Sequence, residues 1–574
     1  MAAGLLLVVV VAAVVVGIVR ATRDPGVQER SGGWLRRLLQ YGSLLAALFS
    51  AAGGASRVVT AALPARERIA GPASEDLALG LSLTLVAVPV WILLWRVVQR
   101  RLIRDAEERA AVAWSLDLAV AATVPLVIAY TNLVEVGSRV VGAADFDSRA
   151  PAAAVVWAGA WGLHAWLLRH GTVAPIGRLR DLAVLAGSAV GLVALVIGAG
   201  GVLRYGLAEV YHGVTGPALV DAPGPVAVRR SLVVVALAAA VWWWHWLHQA
   251  LRAPRSNAWY AYVLLVPVLG GVVTVLTSAS VALHAVLQWV IAEPDATRAA
   301  VHFAGLPGAL AATLVGCWAW SYHRAVLDED GRRTRREADR AYEYLVSAGA
   351  LIAAAVGASV AITAAIQAVT PTPLAAAGPG ARDTVAVALT LLAVGAPLWW
   401  VFWRRVQSRV GAADHVELGS PSRRAYLFVL FGVTGLTAAI SLVVALFVVL
   451  RDLLEGSLAA TTVYDLRVAV ALIVTAGGVS AYHWTVHRED RALGPAAPER
   501  RRNVLLVSAD GRDLADRVAQ RTGATVRMLH RIDVAARDVD ADAVAAAVLA
   551  SPHARLLVTV DGDGAVTTIP YEGG

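Results

Sequence analysis

Long apolar runs separated by short charged breaks dominate the chain. The clearest example begins at the arginine pair Arg423 and Arg424 and continues as an apolar run over residues 425–450. After a short polar break, a second apolar run over residues 468–482 returns to charged residues. A helix needs about 20 apolar residues to cross the roughly 30 Å hydrocarbon core of a bilayer. The pattern predicts a transmembrane helical hairpin with arginines at its base.

The same hairpin recurs six times, and each copy closes on an aromatic tract. When these tracts are aligned, one position recurs about every 70 to 80 residues, which indicates an internal repeat. The residues at this position are Trp95, His164, His245, His323, Trp403 and His483. The predicted division is an N-terminal transmembrane anchor and linker (1–30), six hairpins (31–110, 111–178, 179–256, 257–337, 338–420 and 421–492), and a linker with a small domain (493–574).

Thirteen membrane spans are predicted. The first helices of the hairpins are expected at 38–62, 111–134, 181–203, 260–291, 341–369 and 425–450, and their partners at 77–98, 152–168, 231–251, 307–322, 384–402 and 468–482. The remaining span is the apolar run at 4–19. No basic residue precedes this run, so we expect an uncleaved anchor with its N-terminus outside, and a cleaved signal peptide is the alternative.

The last 70 residues have shorter apolar runs than the rest of the chain. Short apolar runs at 503–508, 525–530, 556–560 and 565–569 are typical of strands. A helix is expected after Asp510, which can cap its N-terminus, and a second over the alanine-rich stretch 541–549. The predicted fold class is an all-α polytopic membrane protein with a small C-terminal α/β domain of order β-α-β-α-β-β.

Composition supports a membrane protein. Hydrophobic residues make up 58% of the chain, charged residues 16%, and the mean hydropathy is +0.63, far from the values of soluble domains. The net charge of +8 follows the hairpin boundaries, so it does not indicate a nucleic-acid partner. The single cysteine, Cys317, lies within a predicted span, which excludes an intramolecular disulfide.

Charge distribution predicts the orientation. All 50 basic residues are arginines, and they concentrate between hairpins, whereas the hairpin tips carry many acids. By the positive-inside rule, the hairpin bases and the C-terminal domain face the cytoplasm. Together with the Ala- and Val-rich composition, this predicts a bacterial inner-membrane protein. Repeats of two helices re-enter the membrane in the same direction, so they are not the inverted repeats of many secondary transporters.

The last two hairpins resemble a known family. The segments are Arg-Arg-Ala-Tyr-Leu-Phe-Val-Leu-Phe at 423–431, Arg-Asp-Leu-Leu-Glu-Gly at 451–456 and Tyr-His-Trp at 482–484. They are similar to the bacterial membrane family of domain of unknown function 5671. The resemblance is best over 340–490, and the repeat extends it to about Trp34. It implies tandem transmembrane hairpins and carries no activity or site residue.

The recurring His/Trp position has two interpretations. Histidines on facing helices can ligate haem iron or another metal within a bundle. However, the position is tryptophan in two hairpins, and an arginine follows directly at Arg96 and Arg404. Tryptophan, tyrosine and arginine are typical of the membrane–water interface. An aromatic belt is therefore the favoured interpretation, and we predict no cofactor or metal.

Ionisable residues within spans are functional candidates by default. The favoured interpretation is a set of solvated or paired residues where long helices leave the membrane. The alternative is a polar cavity open to the outside, for which the candidates are Glu135, Arg139, Arg204, Glu209 and Arg451. Further candidates of this kind are Arg57, Asp117, His284, Gln288, Gln367, Asp452 and Glu455.

No catalytic constellation is recognisable in the sequence, so no catalytic residue is predicted. The expected function is a non-enzymatic membrane protein of scaffold, sensory or lipid-interacting type. A transporter or channel for a small solute or lipid is the alternative. The expected partners are membrane lipids and a cytoplasmic protein bound through the C-terminal domain.

Overall fold

The structure is a computed structural model. It describes residues 33–63, 73–145, 147–169, 172–177, 179–216, 224–292, 298–331, 337–370, 380–410, 418, 420–492, 503–509, 512–531, 533, 539–561 and 564–571. The predicted anchor at 4–19 and the cap at Asp510 lie outside these residues. Two compact units are distinguished: the first takes its described residues from Met1–Phe402 and Ser441–Thr475, the second from Trp403–Ile440 and Ala476–Gly574.

Twelve long helices and the short helix α3 precede the first strand in the described ranges, together with a short helical turn at Ala299–His302 and a 3-10 turn at Phe303–Gly305. A spanning chain must satisfy its backbone polar groups internally, which is why each apolar run is helical. The helices are α1 (Gly33–Ala62), α2 (Ala73–Arg104), α3 (Ala106–Ala110), α4 (Val112–Val140), α5 (Arg149–Leu167), α6 (Leu182–Thr215), α7 (Pro225–Ala250), α8 (Asn257–Ile291), α9 (Leu306–Gly331), α10 (Glu337–Val369), α11 (Ala381–Val410), α12 (Pro421–Leu454) and α13 (Ala460–Ala492).

Every predicted hairpin helix is present. Eleven of the long helices, all except α5, are long and apolar enough to cross a membrane, so the chain is a polytopic membrane protein. Helix α5 has 19 residues, many of them alanine, glycine and tryptophan. The predicted total of thirteen also counts α5 and the anchor at 4–19, and it stays a prediction.

Small residues let paired helices approach closely. In α8 and α9, a Cβ atom added to Gly271 would lie 2.9 Å from the carbonyl oxygen of Gly316. In α6 and α7, a Cβ on Gly191 would lie 2.6 Å from the backbone nitrogen of Trp242. Membrane helices associate through such close packing because the hydrophobic effect does not drive them together in lipid.

Two helices contain π-helical turns. Residues Leu264–Val268 of α8 form one around Pro267, and Trp243–Ala250 of α7 form a longer one. A π turn widens the helix by one residue, and such turns are frequent at functional sites. The longer π segment carries His245, one of the recurring His/Trp positions.

The C-terminal domain has the predicted order of elements. Its strands are β1 (Asn503–Ser508), β2 (Thr525–His530), β3 (Arg555–Val560) and β4 (Val566–Pro570), and its helices are α14 (Arg512–Thr522) and α15 (Ala541–Ala550). The sheet order is β2-β1-β3-β4, with β1 parallel to β2 and β3, and β4 antiparallel to β3. The alternating burial of β1 and β3 places one sheet face against both helices.

Candidate functional site

The five residues of the predicted polar cavity lie on exposed surfaces. Glu135 forms an ion pair with Arg230 of α7, while Arg139, Arg204 and Glu209 are exposed. The partners of Arg451 are Asp452 at 2.7 Å and Asp465 at 3.5 Å. Glu135 and Arg451 therefore engage different partners, and a cavity shared by the five stays a prediction.

Two other ionisable candidates are buried. Asp452 is 5% exposed, and its carboxylate accepts a hydrogen bond from the Thr462 hydroxyl at 2.6 Å, which closes the tip between α12 and α13. Asp117, inside α4, is also 5% exposed, and its Oδ1 has no hydrogen-bond partner among the described residues. The sequence identified both residues and could not distinguish the paired carboxylate from the unpaired one.

The four recurring histidines share one backbone contact. In His164, His245, His323 and His483, Nδ1 lies 2.7–2.9 Å from the carbonyl oxygen four residues earlier. A carbonyl only accepts, so Nδ1 carries the proton and Nε2 is the acceptor of the neutral ring. All four are at most 5% exposed. They are buried between helices, and the aromatic-belt interpretation, which puts this position at the membrane–water interface, stays a prediction.

In the second unit, one of these histidines belongs to an aromatic box of three rings. The Trp403 ring lies 5.4 Å from Tyr426 and 5.1 Å from His483, measured between centroids. The Tyr426 hydroxyl donates to Nε2 of His483 at 3.3 Å, and the indole N–H of Trp403 donates to the Tyr482 hydroxyl at 2.8 Å. The box joins the end of α11 to both helices of the next hairpin.

The first unit contains the same aromatic box. Trp246 lies 5.5 Å from Tyr262 and 5.1 Å from His323, and its indole N–H donates to the Tyr322 hydroxyl at 3.2 Å. Here the Tyr262 hydroxyl and His323 Nε2 are buried without a hydrogen-bond partner in the described part of the chain. The two boxes thus share their ring geometry and differ in this one hydrogen bond.

A related contact occurs near the start of the chain. Trp95 of α2 lies 6.3 Å from Trp114 of α4, and Trp114 lies 5.6 Å from Tyr41. Trp95, Trp246 and Trp403 are about 150 to 160 residues apart, twice the spacing of the hairpins. The contacts therefore recur with a period of four helices, which alignment of the aromatic tracts alone had missed.

Ion pairs close the hairpin bases. Glu108 on α3 is 3% exposed and accepts hydrogen bonds from Arg36 at 2.9 Å, Arg37 at 3.2 Å and the Tyr41 hydroxyl at 2.9 Å. Burial alone raises the pKa of this carboxyl. The hydrogen bonds from Tyr41 and Arg36 and the charges of both arginines outweigh burial and hold the pKa below its ordinary value.

Two more bases carry ion pairs of this kind. In the second unit, Arg423 is 2% exposed and donates two hydrogen bonds to Asp490, both at 2.7 Å, and two to Gln407, both at 3.1 Å. In the first unit, Arg324 pairs with Asp339 at 2.9 Å. The distribution of arginines along the sequence indicates topology and does not reveal these pairings, because each partner lies in a different helix.

One small cavity lies between α4, α5, α6 and the π segment of α7. Its polar lining comprises Thr123, Trp161, Trp244, His245 and Gln249, with alanine, leucine and valine elsewhere. It leaves room for roughly one water molecule. Thr123 Oγ1 and Trp244 Nε1 are buried without a hydrogen-bond partner among the described residues.

The cavity offers hydrogen-bonding groups and no cluster suited to a metal. Within the described ranges, no three His, Cys, Asp or Glu side chains are close enough to hold a metal ion together. The Trp161 ring lies 5.9 Å from His245, and the Arg169 guanidinium lies 4.5 Å above the Trp244 ring. The arrangement suits a small, neutral hydrogen-bonding molecule.

Comparison with known families identifies the helical part of the chain. Three segments, 34–167, 181–317 and 340–478, match the family described as Domain of unknown function (DUF5671). Each segment covers most of two successive predicted hairpins, and His323 and His483 lie just beyond the ends of the second and third segments. The chain matches no curated protein and no solved structure.

Proposed function

Because the chain belongs to the family described as Domain of unknown function (DUF5671), we propose its function from its own contacts: a non-enzymatic scaffold of the bacterial inner membrane. In this proposal the helical bundle holds the C-terminal α/β domain at the cytoplasmic face. The observation that carries it is the repeated aromatic box, in which conspicuous polar side chains bond to one another across helices.

The boxes favour a structural role because their N–H groups have partners within the protein. The histidine N–H groups bond the preceding helical turn, and the indole N–H groups of Trp246 and Trp403 bond tyrosine hydroxyls. Buried tryptophan and tyrosine side chains usually need such partners. Transport or catalysis calls for groups that remain available to a substrate.

The ion pairs favour the same role. Arg423 with Asp490, and Glu108 with its two arginines, each link helix ends that are far apart in sequence. Interhelical contacts of this kind fix which helix ends lie together, since a buried charge without its partner is costly. A bundle fixed at its bases is a suitable platform for a domain attached through α13.

Native mass spectrometry of the detergent-purified chain tests the scaffold proposal. We expect phospholipid adducts only. A stoichiometric adduct that is not a lipid would refute the scaffold and identify the chemistry to study. The His245→Leu variant would then show whether the adduct occupies the cavity.

A matched pair of variants tests whether the boxes are structural. Trp403 is 1% exposed and Trp400, one turn earlier in α11, is 54% exposed. Trp403→Leu should lower the free energy of unfolding by about 2–3 kcal/mol, near the lower end for large-to-small core changes. Trp400→Leu should change it by less than about 0.5 kcal/mol. Equal effects would contradict a structural role for the box.

A transporter for a small hydrogen-bonding solute is the second candidate, and the cavity beside His245 favours it. The π segment, the unpaired Thr123 hydroxyl and the buried Asp117 are features that transport sites share. Thr123→Cys, in a Cys317→Ala background, tests it with a membrane-impermeant maleimide. Modification from both sides of the membrane would support transport, and protection from both sides would support the scaffold.

Orientation is part of the proposal and has its own test. A fluorescent protein fused after Gly574 should fluoresce, and alkaline phosphatase fused there should be inactive, if the C-terminal domain is cytoplasmic. The reverse pattern would overturn both the orientation and the number of spans.

A further inference from the structure

The two faces of the C-terminal sheet differ in what covers them. Val504, Leu506, Leu556 and Val558 lie on one face, are at most 1% exposed, and pack against α14 and α15. The pairing registers place the alternate residues on the other face. We call this second face the open face, because both helices of the domain pack against the first face.

The open face has an apolar centre. Leu505 and Leu557 are neighbours across the central strands β1 and β3, and Ile569 continues their row on β4. Leu529 lies beside Val507 in the next row. Leu529 is 44% exposed and Ile569 is 45% exposed. These large apolar side chains are therefore available for contact with a partner surface.

The charge on the open face has one sign. Arg527 and Arg555 lie on it, both exposed, and the remaining residues of this face in the four described strands are apolar, threonine or asparagine. The helical side carries both signs, with Asp516, Arg517 and Arg521 on α14 and Asp542 on α15. An apolar centre flanked by arginines complements an anionic apolar surface.

The chain keeps this face near the membrane. Ten residues separate the end of α13 at Ala492 from the start of β1 at Asn503, and such a segment reaches at most roughly 35 Å. It includes Arg500, Arg501 and Arg502. Basic residues held close to a membrane surface attract anionic lipids, and these three directly precede β1. The short tether also raises the effective concentration of the membrane at the domain.

We propose that the open face docks onto the anionic phospholipid headgroups of the bilayer that the helices cross. Arg527 and Arg555 contact the lipid phosphates, and Leu529 and Ile569 insert into the boundary between headgroups and acyl chains. This inference deepens the scaffold function, because it gives the positioned domain a fixed face toward the membrane.

Fluorescence quenching in the full-length chain tests the docking. In a Cys317→Ala background, one probe is placed on the open face at Thr567→Cys and a matched probe on α15 at Ala546→Cys. The protein is reconstituted into nanodiscs of phosphatidylcholine, with or without phosphatidylglycerol, carrying a headgroup nitroxide quencher. We expect quenching only of the Thr567 probe, only with phosphatidylglycerol, and less at high salt because charges are screened.

Charge variants sharpen the test. Arg527→Gln should lower the ratio of docked to undocked domain about fivefold, from the usual contribution of one arginine near an anionic surface. Arg517→Gln, on the exposed side of α14, is the matched control and should leave quenching unchanged. Both positions are exposed, so neither variant should impair folding.

Four outcomes would overturn docking. Equal quenching of both probes, or quenching that does not depend on phosphatidylglycerol, would show that the open face does not bind anionic lipid specifically. Absence of quenching in every lipid would show that the open face does not contact the membrane and would favour a protein partner instead. Energy transfer between open-face probes on two copies in one nanodisc would make a second chain the occupant. The scaffold proposal survives each result, because its own tests concern adducts and the aromatic boxes.

Discussion

The replacement Asp490→Asn removes the charge that compensates Arg423 and leaves the shape of the site nearly unchanged. The guanidinium is 2% exposed and donates two 2.7 Å hydrogen bonds to the carboxylate. Removing one partner of a buried ion pair costs about 3–5 kcal/mol, because the remaining charge stays out of water. Gln407 still accepts two hydrogen bonds from Arg423, so we expect the lower end, about 3 kcal/mol.

Unfolding by sodium dodecyl sulfate titration in mixed micelles measures this free energy. Glu489→Gln is the matched control, since it makes the same chemical change at an exposed neighbouring residue and should alter stability by less than about 0.5 kcal/mol. The double variant Arg423→Met with Asp490→Leu should recover most of the loss, because apolar replacements of a buried pair are often neutral. If Asp490→Asn is no less stable than Glu489→Gln, the argument that the buried pair fixes the hairpin base is wrong.

Three further predictions follow from contacts in other hairpins. Tyr426→Phe removes a buried hydrogen bond and should lower the free energy of unfolding by about 1 kcal/mol. Tyr262→Phe should leave it unchanged, because the Tyr262 hydroxyl has no partner among the described residues. Equal losses of stability in chemical unfolding would contradict the difference between the boxes. The pKa of Glu108 is lowered by folding, so its contribution is fully present above the ordinary carboxyl pKa and is lost as pH falls through the folded value. Glu108→Gln should therefore be less stable than the parent at neutral pH, and the difference in stability should disappear at acid pH. Thermal unfolding of both proteins as a function of pH measures this difference. Gly191→Ala should lower the free energy of unfolding by about 1–3 kcal/mol, because the added Cβ would meet the backbone of Trp242. Gly206→Ala, on the same helix, adds its Cβ in open space and should be neutral or stabilising. Calorimetry of both variants measures the difference.

The aromatic contacts explain why the family segments contain four helices. A single hairpin does not complete a box: Trp403 comes from one hairpin, and Tyr426 and His483 come from the next. Each matched segment joins two hairpins of this kind. The recurring unit of packing is therefore a pair of hairpins, although the pattern along the chain repeats with each hairpin.

The sequence by itself determined the secondary structure and the class of protein. Apolar runs in a membrane must be helical because lipid offers no hydrogen-bond partner to the backbone. The expected helix 181–203, for example, begins one residue before the observed Leu182–Thr215, which continues twelve residues beyond its far end. The expected helix 425–450 lies within the observed Pro421–Leu454, which extends four residues beyond it at each end. The short apolar runs of the C-terminal segment likewise predicted all four strands.

Only the tertiary structure decided which polar residues have partners. Arg423 and Asp490 are 67 positions apart, and Glu108 lies 72 positions from Arg36, so periodicity within one helix contains no information about either pair. The same holds for the recurring histidines, whose burial depends on which face each neighbouring helix presents. Asp117 and Asp452 look alike in the sequence, yet one is unpaired among the described residues and the other accepts from Thr462. Hydropathy fixes where a helix forms, but its rotation and neighbours follow from packing of the whole bundle.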